Sequence, residues 1–413
     1  MIYDCGHFCF NRVYTKMSLS KKMEVKIEMQ KLSAINYIKN NKHRVAVLIV
    51  SLGLCFIAVY LTKFLLSTTE ETFSTICLKN TKKIQYIGIT ESSLGLNSHE
   101  YSEEDLEAAV KEKNLEIAEK LKSEKGVEQV YYAQIIYNMI VPAIGNMTVE
   151  IPCVDKEEVP IILNHFNAKL IRGRLPQNSG EIVLDKKSMQ NGGFELNGYF
   201  REDDYQKNYV IVGVVDCDLY FGCGIKSEIQ NQNNMLTVLS DGSIKDINAV
   251  IHKYGVEQTE LTVDYKWGKQ FVKSDIKDII DNSTKVIYMA IMIILSLSIF
   301  IVYTMYLRDR HNEWCLYCSI GYQRKEIYFS ILRELLFTFG MAFVLGGIVV
   351  FILVNLLDYV MIEPLGIKCR YFLPETIAEI FCSYVLILGM LHIPVRFALY
   401  KIRTIDAIDD DLY

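Results

Sequence analysis

The sequence predicts an α-helical membrane protein with four transmembrane helices and a large mixed α+β extracytoplasmic domain inserted between helices 1 and 2. Three observations predict it. Four stretches are long and apolar enough to cross a hydrocarbon layer of roughly 30 Å, which takes about 20 helical residues because lipid offers backbone groups no hydrogen-bond partner. The chain from residue 67 to 285 is polar and charged. The composition serves two solvents: 51% hydrophobic residues and a mean hydropathy of +0.16 stand beside 23% charged residues.

Charge sorts by segment. Residues 1–44 hold nine Lys/Arg against three Asp/Glu, whereas residues 68–285 hold 24 against 34, a net −10 within a chain of −5 overall. That distribution argues against a nucleic-acid binder. The apolar fraction, the few Gly and Pro, and eleven scattered cysteines exclude a disordered chain, a collagen and a small disulfide scaffold.

Residues 1–44 form a cytoplasmic N-terminal segment. Within it, Ile27, Leu32, Ile35 and Ile38 fall loosely at helical spacing between Met23 and Lys39, which gives an amphipathic helix on the inner membrane surface. A solvated lead-in helix is the other reading, and Met17 or Met23 can equally be the start. Transmembrane helix 1 is 45–66, apolar except for Lys63, whose long side chain snorkels. A secretory signal is disfavoured because 44 residues precede this span and no small-residue cleavage site follows. Lys39, Lys42 and Arg44 before span one, and Arg308, Arg310, Arg324 and Lys325 after span two, place both termini in the cytoplasm.

Residues 67–285 form the extracytoplasmic domain, long enough for two subdomains. Ser102 caps an acidic first turn, and Leu106, Ala109, Val110, Ile117 and Leu121 continue an amphipathic helix that stops at Gly126. Val127–Val141, Glu181–Leu184 and Tyr209–Val215 are rich in β-branched and aromatic residues and read as strands, bounded by turns such as Asn191-Gly192-Gly193. A helix from Asp275 to Lys285 runs into transmembrane helix 2, 286–307, which has no charge. A cytoplasmic segment 308–334 precedes transmembrane helix 3, 335–357; an outer loop 358–376 leads to transmembrane helix 4, 377–398, and the tail is 399–413. Helix 4 contains His392 and Pro394, and the proline is expected to kink or end it.

Chemistry is expected elsewhere. There is no G-x-x-x-x-G-K-[ST] loop for ATP, no H-E-x-x-H, G-x-S-x-G or EF-hand pattern, and no His and carboxylates at ligand spacing. No catalytic residue, cofactor or metal site is assigned. Cys315-Leu316-Tyr317-Cys318 reads as a structural thiol pair rather than a redox or zinc site. Cys217 and Cys223 flank a turn and would close a disulfide in an oxidising compartment, with free thiols the alternative; Cys77, Cys153 and Cys369 leave an odd count outside. Arg333, Glu334, Glu379 and Arg396 lie at span ends and read as interface anchors. In span three, Gly340, Ala342, Gly346 and Gly347 include a small-xxx-small pair for close helix packing; a gating hinge is the other reading.

Arg310-His311-Asn312-Glu313, Cys318-Ser319-Ile320-Gly321-Tyr322, Glu326-Ile327 and Leu332-Arg333-Glu334-Leu335 before a Gly-bearing span resemble the FtsX-like permease domain of ABC transporters. Leu170-Ile171-Arg172-Gly173-Arg174-Leu175-Pro176, Ser179-Gly180-Glu181-Ile182-Val183-Leu184 and Val210-Ile211-Val212-Gly213-Val214-Val215 resemble the MacB-like periplasmic core domain. Asn40-Asn41-Lys42 and Ile402-Arg403-Thr404-Ile405-Asp406-Ala407-Ile408 fit the family's edges, although Thr404-Ile405-Asp406 replaces its usual proline. The resemblance implies a permease (transmembrane) subunit in the bacterial cytoplasmic membrane that binds no ATP itself. Its implied partners are an ABC ATPase subunit, a second or homologous permease in a dimer, the lipid bilayer, and an outer accessory protein. ATP hydrolysis in the partner would move the outer domain by mechanotransmission, for export or extraction of a peptide, lipid, lipoprotein or antibiotic. A regulatory permease that controls a cell-wall hydrolase and a non-transporting receptor or scaffold are the alternatives. The ATPase-coupling segment implied is Arg310, Glu313, Gly321, Arg324, Glu326 and Glu334. Arg310 and Glu313, three apart, can pair with each other or with the partner, and Gly321 permits a tight break between helices.

Overall fold

Among the described residues of the computed structural model, four helices are long and apolar enough to cross a membrane, by length and composition: Val45–Lys83, Lys285–Asp309, Arg324–Ile362 and Pro374–Tyr400. The structure describes residues 42–96, 102–200, 209–228, 234–256 and 261–400. The expected helix Met23–Lys39 and the family edges at Asn40-Asn41 and Ile402–Ile408 lie outside the described residues.

Helix α1 (Lys42–Ser74) continues through a π-helical turn, Thr75–Asn80, to Lys83, so the first span and a stalk above it are one rod. The outer domain follows as β1 (Ile84–Gly88), α2 (Glu103–Leu121), β2 (Val127–Ile140), β3 (Met147–Val154), α3 (Val159–His165), β4 (Lys169–Gly173), β5 (Glu181–Asp185), α4 (Lys186–Gly192), β6 (Val210–Asp216), β7 (Gly222–Ile225), β8 (Asn234–Ser240), α5 (Ile247–Ile251) and β9 (Leu261–Val263). Helix α6 (Tyr265–Gln270), a π-helical turn Phe271–Ile276 and α7 (Lys277–Asp309) return to the membrane without a break. Then come α8 (His311–Ile320), α9 (Arg324–Leu357) and α10 (Pro374–Tyr400). Helix α10 continues through Pro394 to Tyr400, so of the kink or end expected there the end does not occur; buried Leu391, Val395 and Leu399 lie on both sides of the proline.

Among the described residues the strands of this region, long enough for two subdomains, join in one nine-stranded sheet, β4-β6-β5-β7-β3-β2-β8-β1-β9. Pairs β5–β6 and β3–β7 are parallel and the rest antiparallel. Long β2 bridges the halves, and both of its faces are covered. Ile135 packs with Val159, Ile162 and Phe221, whereas its neighbour Ile136 packs with Ile151, Leu184 and Ile211. Such double cover explains a continuous apolar run where one wet face would alternate. Ser102 caps α2 by accepting the Asp105 N–H at 3.3 Å, and Ile117, Ala118 and Leu121 pack on Ile87, Val130 and Val238. Asn191-Gly192-Gly193 is not a turn between strands but the end of α4, with Gly193 at φ +64° as its C-cap.

In the membrane unit, a stripe of Leu48, Leu52, Cys55, Phe56, Val59 and Phe64 on α1 faces the other helices, above all α9. Ala342 is fully buried, and a Cβ on Gly346 would stand 3.1 Å from Phe56 Cβ and 3.5 Å from Gly53 Cα. This pair therefore lets the backbones of α9 and α1 approach. Gly340 and Gly347 have nothing within 4 Å of such a Cβ and face open space, so packing explains only half of the four small residues. Tyr384 donates to Leu52 O at 2.6 Å, and Lys63 pairs with Glu379 at 3.5 Å toward the end of the bundle nearer the sheet.

The stalks meet beneath the sheet. Gly268 of α6 lies so near the π-helical turn above α1 that a Cβ there would stand 2.0 Å from Cys77 O. Phe271 stacks on Trp267 and meets Phe73 edge-on. Cys217 and Cys223 are free thiols, with Cys217 Sγ pointing at Phe166 O at 3.7 Å and Cys223 fully buried in β7, so the flanking turn does not join them.

Candidate coupling site

The segment between α7 and α9 folds as a helical step. Arg310 leaves the helix of α7 at φ −95°, ψ −1°, and α8 starts one residue later. Gly321 ends α8 at φ +109°, a left-handed value that costs a residue with Cβ, and its N–H returns to Cys318 O at 3.1 Å. Gln323 then opens α9 with a capping box: its N–H donates to Glu326 Oε2 at 3.0 Å. Glu326 thus serves the start of α9, and Arg324 sits exposed in its first turn.

Arg310 is the centre of the step. Its Nη1 donates to Glu334 Oε2 at 2.9 Å and to the Tyr306 hydroxyl at 2.5 Å, and its Nε donates to Glu313 Oε2 at 3.1 Å. Tyr306 donates in turn to Glu334 Oε1. The guanidinium also lies over the rings of Tyr306 and Trp314, 5.3 and 5.5 Å from their centres. Side-chain exposures are 7% for Arg310 and 8% for Glu334, against 47% for Glu313. Two charges taken out of water need each other and further hydrogen bonds, and these two have both.

The interface-anchor reading of Glu334 is therefore corrected: it is a buried counter-charge that ties α9 to the α7–α8 corner. Sequence spacing identified Arg310 with Glu313 and missed Glu334, because 24 residues separate the partners and only folding brings them together. Glu379 pairs with Lys63, and Arg396 is exposed, as interface positions allow. Trp314 and Cys315 turn the inner face of α8 into the bundle, whereas Leu316 and Ile320 are 57% and 67% exposed on the other side. Cys315 Sγ lies 3.8 Å from His311 Nε2, and Cys318 is half-buried. Among the described residues no group of three His, Cys, Asp or Glu side chains is placed to hold a metal ion. Farther along, the Tyr328 hydroxyl lies 2.6 Å from His392 Nδ1, joining α9 to α10.

In the outer domain, the G-R-x-P and G-E-I-V-L stretches close on each other. Arg174 grips Glu181 with two bonds of 2.6 Å, while the Gln177 and Asn178 N–H groups donate to the same carboxylate at 2.8 and 3.2 Å. Arg174 beside it, helped by these donors, holds the Glu181 carboxyl well below the usual range. These residues shape a loop and expose no reactive group.

No curated protein matches the chain. Among solved structures, it is similar to the periplasmic region of MacB from Actinobacillus actinomycetemcomitans, at 14% identity and a TM-score of 0.26, over 47% of this chain and 94% of that one. It is similar also to the extracellular domain of the noncanonic ABC-type transporter YknZ from Gram-positive bacteria, at 12% identity and a TM-score of 0.24, over 43% and 99% of the two chains. Residues 285–407 match the FtsX-like permease C-terminal family. That match contains the membrane part of α7, the Arg310–Glu334 corner, α8, α9 and α10, so it is this part of the chain that is similar to the FtsX-like permease C-terminal region.

Proposed function

We propose that the protein is the permease subunit of an ABC transporter, with both termini in the cytoplasm, coupling ATP hydrolysis by a separate ATPase subunit to movement of its outer domain. The observation that carries this reading is the unbroken helical path from Tyr265, beneath the sheet, to Asp309, where Arg310, at the start of α8, is tied to Glu334 of α9. A rod of packed helix transmits displacement, whereas a loop would absorb it. The exposed face of α8, with Glu313, Leu316 and Ile320, has the mixed apolar and charged character of a surface that seats in a partner's groove. Two permease copies would pair, each with an ATPase, and the outer domains would move a peptide, lipid, lipoprotein or antibiotic outside the membrane. An outer accessory protein would receive it.

The test is purification of the tagged chain in mild detergent, with mass spectrometry of its partners and assay of vanadate-sensitive ATP hydrolysis. An ATP-binding partner is expected, and Leu316→Asp with Ile320→Asp is expected to release it while leaving the thermal midpoint nearly unchanged. Retention of the partner by the doubly charged variant removes α8 as the docking element. Clean absence of any ATP-binding partner from the parent chain overturns the permease reading in favour of a receptor or scaffold.

A further inference from the structure

The β2–β3 hairpin has an unusual tip. The chain carries no charge from Gln129 to Val149, and the connection is Val141-Pro142-Ala143-Ile144-Gly145-Asn146. Hairpin connections on a watery surface favour Asn, Asp, Gly and Ser. Here Val141 and Ile144 are 41% and 48% exposed, and Met139 beside them is exposed as well.

Contacts with the stalk say which way the tip points. Ile140 and Val149, just above the connection, pack with Ile76 of the stalk, and Cys77 Sγ lies 3.6 Å from Met147 Sδ. Ile144 N donates to Thr69 Oγ1 at 3.1 Å. From Ile76 to Thr69 the stalk runs toward the membrane by about 10 Å, at 1.5 Å per residue. The hairpin descends with it. Thr69 is three residues past Leu66, the outer end of the apolar span, and so about 4.5 Å beyond the hydrocarbon edge. Polar headgroups add roughly 5–7 Å to each leaflet, which puts the Thr69 level inside that layer.

A second set of contacts fixes the same level. Asn191 of α4 accepts the Val141 N–H at 2.7 Å and donates to Val141 O at 2.9 Å and to Leu365 O at 3.0 Å, so one side chain holds the tip and the 358–373 outer loop together. That loop is pinned to the span by Tyr60, whose hydroxyl donates to Tyr371 O at 2.9 Å and accepts the Leu373 N–H at 3.1 Å. It exposes Tyr359, Val360, Tyr371 and Phe372, the aromatic and apolar side chains that collect at membrane interfaces.

We infer that the hairpin tip, Val141 to Asn146, is a lipid-contacting element seated in the headgroup layer of the outer leaflet. Its apolar side chains leave water there, and the sheet is referenced to the membrane surface at a point beside the first stalk. The inference rests on the membrane placement of the helices and not on ATPase coupling, so its failure leaves the proposed function standing.

The experiment uses the full chain in vesicles of equal parts phosphatidylcholine and phosphatidylglycerol. Ile144→Cys and, separately, Val141→Cys carry an environment-sensitive fluorophore, with the labelled parent chain subtracted to remove the native cysteines. Lys79→Cys, ten residues and about 15 Å farther out along the same stalk, is the water-exposed control. The expected result is several-fold stronger quenching at 144 and 141 than at 79 by phospholipid carrying a nitroxide near the carboxyl end of its acyl chain, together with protection from iodide. Iodide quenching at 144 and 141 as strong as at 79, without nitroxide quenching, overturns the inference. Protection from both quenchers overturns it too, because protein rather than lipid then covers the tip.

Discussion

The two ends of the paired stalks are fastened by different physics. At the outer end, α1 and α6 touch through backbone and rings: Gly268 on Cys77 O, and Phe271 between Trp267 and Phe73. At the inner end, α7, α8 and α9 are fastened by charge, through Arg310, Glu334, Glu313 and the Tyr306 hydroxyl. A close-packed joint tolerates no added volume, because interiors are as dense as organic crystals. A buried charged joint tolerates no lost partner, because the survivor is left desolvated. The outer joint is thus sensitive to enlargement and the inner one to deletion.

The largest effect is expected at the inner joint. Glu334→Ala leaves Arg310 buried without its main counter-charge and is expected to lower stability by about 3–5 kcal/mol, read as a fall in the thermal midpoint of the nanodisc-embedded chain. Glu313→Ala, at a half-exposed position, is expected to cost less than about 1 kcal/mol. Arg310→Met with Glu334→Leu should recover most of the loss, since apolar isosteres often replace a buried pair without penalty. Equal losses for Glu334→Ala and Glu313→Ala would erase the distinction between the buried and exposed partners.

Enlargement comes next. Gly268→Val places a Cβ where Cys77 O stands and is expected to cost about 1–3 kcal/mol or more, and Gly346→Val slightly less, because Phe56 can turn aside. Gly347→Val, with open space around it, should be silent in the same melt; a comparable loss there would show that helix propensity, not packing, decides. Gly321→Ala is expected to cost about 1–2 kcal/mol through its left-handed backbone. In the purified complex it should lower stimulated ATP hydrolysis more than ATP-partner recovery.

The smallest effects sharpen a contrast of pH within the outer domain. Glu181 is held low by Arg174, so its folded pKa lies below the unfolded one; its contribution is present above the ordinary carboxylate range and is lost as pH falls through and below it. Glu150, half-buried among Ile76, Val149 and Tyr86, is pushed up to about 7 by burial. Its folded pKa is the higher one, so its contribution is full below the ordinary carboxylate range and is lost as pH rises through about 7. Between pH 3 and pH 8 both variants should therefore part from the parent toward pH 8 and in opposite directions: Glu181→Gln with a lower midpoint, because a neutral amide cannot replace the ionised partner of Arg174, and Glu150→Gln with a higher one, because the amide stands for the protonated acid; parallel curves would refute the assignment.

How much was legible follows from the range of each interaction. The apolar runs beginning at Val45, Val286, Leu335 and Ile380 announce helices because lipid forces each segment to satisfy its own backbone. Ser102 and Gly321 mark helix ends because capping is settled within a turn. The Asn191-Gly192-Gly193 signal was misread because a glycine stop serves strand and helix alike, and length says nothing of which strand bridges the two halves of the sheet. Glu334 looked like an interface residue because its partner is two helices away in sequence.

By itself, then, the sequence determined the four apolar helices, the inserted outer domain and the caps that punctuate them, all of which rest on forces acting within a few residues. Only the tertiary structure decided that one sheet spans the outer domain, that Gly268 meets Cys77, that the Val141–Asn146 tip descends to Thr69, and that Arg310 closes on Glu334. Each of these depends on the position of a distant segment, and burial or a buried charge has meaning only once that segment is in place.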